Sequence, residues 1–112
     1  MNENAQKLYD DLVNGRLEEF DMHNFTGDCG TPLCIAGHCA FRLSGIAEWR
    51  PISDHIHATS VFLGISEDDV FKLCLPDDGD SIRFPWKGIC DNPYMATQQQ
   101  AAEALRRACT GD

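Results

Sequence analysis

The sequence predicts a mainly α protein: a compact bundle of about five short helices around a central helix at about residues 31–44, with irregular loops and one short extended segment. Three observations carry that prediction. Apolar residues recur at three- and four-residue spacing in several stretches, the repeat that lines one side of a helix. Residues that cap or stop helices punctuate those stretches: Asn2, Gly15, Thr31, Gly45, Gly64, Ser66, Pro76 and Thr97. The 112 residues, 43% of them hydrophobic, suit one domain (1–112) with one modest core, and no repeat, low-complexity tract or linker divides them.

The first helix is predicted over 3–14. Ala5, Leu8, Tyr9 and Leu12 share a side, with Val13 beside them; Asn2 caps the start and Gly15 supplies a left-handed stop. From 16 to 28 the helical repeat is lost. Phe20 and Met22 alternate with Asp21 and His23, which reads as an extended segment sending Phe20, Met22 or Phe25 inward.

The central helix follows. Thr31 is its expected N-cap, and Pro32 takes the first position, where a missing N–H costs nothing. The helix should run through Ile35, Ala36, Cys39, Ala40 and Leu43 to Ser44. Pro51 separates it from a helix capped by Ser53 or Asp54 and ended by Gly64, with Ile56, Val61, Phe62 and Leu63 expected inside. Ser66, with Asp69 three residues on, opens a further helix whose apolar side is Val70, Phe71, Leu73 and Cys74. Residues 76–95 are irregular, with a turn at 76–80 and hydrophobic anchors at 84–86 and 93–95. Thr97 caps a last helix over 98–109. Its inward stripe is Ala101, Ala104, Leu105 and Ala108, and Arg106 and Arg107 complement its negative end.

Eighteen acidic and nine basic residues give a net charge of −9. That balance disfavours direct nucleic-acid binding, which needs a basic face, and favours a protein partner with a basic surface. No apolar run spans a bilayer and the N-terminus has no signal-peptide pattern, so the expected location is the cytoplasm, with no membrane contact. In a reducing cytosol, six cysteines point to thiols or metal ligands rather than structural disulfides.

The concentrated chemical signal is Cys29-Gly-Thr-Pro-Leu-Cys34-Ile-Ala-Gly-His38-Cys39. Thiolates and neutral imidazole are good zinc ligands, and Cys34 and His38, four apart, share a helix face. Cys29 could fold back from the preceding loop, with His23 or Cys90 completing four ligands. The spacing matches no familiar zinc module, and core packing is the competing reading for these thiols. Cys29 also lies before a helix N-terminus, where the dipole favours thiolate, so a nucleophile or redox switch is a further alternative. His55 and His57, two apart, do not share a face and are expected at the surface or its boundary. Asp77, Asp78 and Asp80 lack the ordered spacing of a calcium loop and read as a solvated acidic turn. Trp86 and Tyr94 are candidate partner anchors, with a lid over the core as the competing reading. No phosphate-binding glycine loop or hydrolase serine elbow is present.

The Cys29-Gly30-Thr31-x-x-Cys34-Ile35-Ala36-Gly37-His38 stretch resembles a set of small bacterial and phage proteins. They are similar in a Phe-x-Met segment (here Phe20-Asp21-Met22), a Leu-Gly-Ile step (Leu63-Gly64-Ile65) and a closing Gln/Ala-rich helix. Where that group has a Leu-Phe-x-Pro-like helix end, this chain has Leu73-Cys74-Leu75-Pro76. The resemblance implies a shared helical fold and a phage or prophage source, and it carries over no functional residues.

The function expected is therefore a non-enzymatic, acidic protein-interaction module without a cofactor. A phage-encoded inhibitor of a host nucleic-acid-binding or defence protein, in an anti-CRISPR or anti-restriction role, is one form of it. The alternatives are a zinc-stabilised helical domain using Cys29, Cys34, His38 and His23, and thiol chemistry at Cys29. Trp86, Tyr94, Asp77, Asp78 and Asp80 are the candidate partner contacts.

Overall fold

The computed structural model describes residues 1–17, 20, 35–44, 52–74, 84–90 and 95–111. They form five helices and no strand: α1 (Glu3–Val13), α2 (Ile35–Ser44), α3 (Ile52–Leu63), α4 (Glu67–Cys74) and α5 (Gln98–Thr110). The mainly α bundle expected from the sequence is the fold observed. Its radius of gyration is 12.4 Å, against about 13 Å for a packed chain of this length.

Local chemistry accounts for most helix ends. The Asn2 side chain accepts the Ala5 N–H at 2.7 Å, capping α1 as expected. The Ser66 hydroxyl accepts the Asp69 N–H at 3.2 Å at the start of α4. At α5 a full capping box forms: Thr97 Oγ1 accepts the Gln100 N–H, and Gln100 Oε1 accepts the Thr97 N–H. Gly15 and Gly64 follow α1 and α3 at φ +63° and +71°; both end their helices as expected, Gly15 in the left-handed conformation predicted for it.

The core joins Ala5, Leu8 and Leu12 of α1 to Ile56, Phe62 and Leu63 of α3, to Val70, Leu73 and Cys74 of α4, and to the alanine-rich stripe and Leu105 of α5. Ile35 and Cys39 bring α2 into it, and Phe20 packs against it as the extended-segment reading expected.

Several expectations need correction. Among the described residues α2 lies chiefly against α3, whereas α3 touches α1, α2 and α4, so α3 is the better-connected helix. The reason is width: α3 buries His55, Ile56, Thr59, Phe62 and Leu63, while Phe41 and Leu43 of α2 face solvent. Thr31 and Pro32, the expected start of the central helix, lie outside the described residues. Helix α3 begins at Ile52 rather than after a Ser53 or Asp54 cap; Asp54 stands in its first turn, where the helix dipole favours a carboxylate. Val61 and Phe71, expected inside, are 53% and 46% exposed, because Val61 lies opposite the packed stripe of α3 and Phe71 lies beside that of α4. His55, expected at the surface or its boundary, is buried on that stripe, while His57 faces out.

Candidate functional site

The motif that concentrated the chemical signal is visible through α2. Ile35, His38 and Cys39 follow at helical spacing on its packed side, and all three are buried. The Phe20 ring stacks on the His38 imidazole with centroids 6.5 Å apart and planes 17° from parallel, within the range of aromatic pairs. The apolar ring thus covers the imidazole from the segment that precedes the motif. Cys39 belongs to the core, as the packing reading of these thiols expected. Of the four proposed ligands, only His38 is among the described residues; His23, Cys29 and Cys34 lie outside them. No group of three or more His, Cys, Asp or Glu side chains able to hold a metal ion occurs among the described residues.

The proposed partner contacts divide the same way. Tyr94, Asp77, Asp78 and Asp80 lie outside the described residues. Trp86 is a core residue, not a surface anchor: it is 0% exposed, and its indole N–H donates to the Leu73 carbonyl at 2.9 Å. Leu73 is in the last turn of α4, where helical carbonyls have no partner within the helix. The indole fills the space beneath that end and satisfies one of those oxygens.

The turn carrying Trp86 is held from α5. Arg107 donates to the Lys87 carbonyl at 2.7 Å and to the Pro85 carbonyl at 3.4 Å, and Gln100 Nε2 reaches the Ile89 carbonyl at 3.5 Å. Another α5 side chain, Gln98, grips the chain after α1. Its Oε1 accepts the Leu17 N–H at 3.2 Å and its Nε2 donates to the Leu17 carbonyl at 3.0 Å. Helix α5 therefore organises two connecting stretches, which its Gln- and Ala-rich composition did not disclose.

Three helical carboxylates, Glu3, Asp11 and Glu103, are held in ion pairs. Asp11 of α1 pairs with Arg42 of α2, both about a quarter exposed, and lies 3.8 Å from Arg16. Glu3 pairs with Lys7 at 3.4 Å on the surface. Glu103 takes Arg106 at 2.6 Å and Arg107 at 3.5 Å. The Arg106 hydrogen bond leads the lowering of its carboxyl pKa below the ordinary glutamate value, over a smaller opposing effect of burial. Among the described residues, Asp10, Asp54, Glu67 and Asp68 stand exposed outside these pairs. Most of the surplus of negative charge belongs to the sequence outside the helices. Glu18, Glu19, Asp21, Asp28, Glu48, Asp77, Asp78, Asp80 and Asp91 are set there against only Arg50 and Arg83 outside the described residues.

The described thiols are packed rather than primed. Cys39 and Cys74 are buried, Cys90 and Cys109 half-buried. Burial pushes the Cys109 thiol up to about 11, with Asp69 adding to the shift and the N-terminal ammonium opposing it. That environment is the reverse of one that activates a nucleophilic cysteine. Cys29, the proposed reactive thiol, is outside the described residues.

No described helix is long and apolar enough to cross a membrane. The chain matches no family model, no curated protein and no solved structure.

Proposed function

We propose that this chain is a non-enzymatic, acidic protein-interaction module whose partner presents a basic surface. The supporting observation is the distribution of charge. The sequence outside the helices holds ten acidic residues against four basic ones, and on the helices Asp10, Asp54, Glu67 and Asp68 stand exposed outside the described ion pairs. Such a surface attracts a cationic partner at long range and repels a phosphate backbone. In a phage, the corresponding role is inhibition of a host nucleic-acid-binding or defence protein by occupying its basic groove. A pull-down from bacterial lysate tests the proposal. Recovery of a nucleic-acid-binding protein at about 50 mM salt, lost at about 500 mM and competed by duplex DNA, is the expected outcome. Recovery of no such protein at the lower salt overturns the reading.

A zinc-stabilised form of the same domain has one observation in its favour: His38 lies on the packed side of α2, a helical turn beyond Cys34 in sequence. Purification without chelator should then yield close to one equivalent of zinc, and chelation should lower the melting temperature. Less than about a tenth of an equivalent, with melting unchanged by chelator, removes this alternative.

A further inference from the structure

We draw no further inference here: the strongest candidate, the outward face of α4 where the exposed Phe71 stands among Glu67, Asp68 and Lys72, is a single apolar side chain beside an acidic helix start, and nothing in the structure shows what covers it.

Discussion

Asn2 does two jobs with one amide. Its oxygen caps α1 at the Ala5 N–H, and its Nδ2 donates to the Phe62 carbonyl near the end of α3 at 3.1 Å. Neither an alanine nor an aspartate preserves both. Asn2→Ala should cost about 1–2 kcal/mol, read as a lowered urea midpoint at constant slope, and Asn2→Asp should cost less because the cap survives. Gly64 lies against the same amide. At φ +71°, a Cβ there would meet Asn2 Nδ2 at 2.9 Å, so Gly64→Ala combines backbone strain with displacement of that amide. An urea midpoint unchanged by Asn2→Ala would refute the double role.

Cys109 offers a residue-scale test through pH. Its folded pKa, about 11, lies above the ordinary thiol value. The associated stability is present below the unfolded pKa of about 8.5 and is lost as pH rises through the folded value. Alkylation of Cys109, followed by peptide mass mapping in the native protein, should be slower at pH 8 than for a model thiol and accelerate only as pH approaches the raised value. Reaction at the model-thiol rate would contradict the packed environment.

At the scale of elements, what the sequence makes legible is what neighbouring residues decide. Asn2, Ser66 and Thr97 announce helix starts because a cap acts on N–H groups two or three residues away, and each acts that way here. Gly15 and Gly64 are legible as stops for the same local reason. The rest depends on partners distant in the chain. Nothing near Trp86 says that its indole will meet Leu73, and nothing near Gln98 says that it will clasp Leu17. Val61 and Phe71 read as interior because hydrophobicity alone does not say which side of a short helix its neighbours cover. The candidate site was legible as a motif but not as a constellation. Of its proposed ligands His38 is placed, beside a Phe20 ring that no spacing rule could supply.

Among the described residues, the Asp11–Arg42 pair is a charged link between α1 and α2, helices well separated in sequence. A double-mutant cycle with Asp11→Asn and Arg42→Gln should give a coupling of about 1 kcal/mol that shrinks in high salt. A coupling indistinguishable from zero at low salt would show that the pair adds nothing to the packing of α2 through Ile35, His38 and Cys39.

For the whole molecule, the helices supply the buried core and the described ion pairs, and the sequence outside them supplies most of the negative surplus. Binding and stability should therefore respond to different substitutions. Neutralising Asp77, Asp78 and Asp80 together to Asn should weaken salt-sensitive capture of a basic partner while leaving the melting temperature within a few degrees. Capture unaffected by that change would place the contact elsewhere on the chain.

The packing of α1 against α5 has a consequence for how the protein folds. Helix α1 finds α5, the helix it packs against most, far along the sequence, so its apolar stripe of Ala5, Leu8 and Leu12 is not fully covered by the residues that directly follow it. Completing the core is therefore a long-range event in folding, and a variant ended at Thr97 should remain open and protease-sensitive.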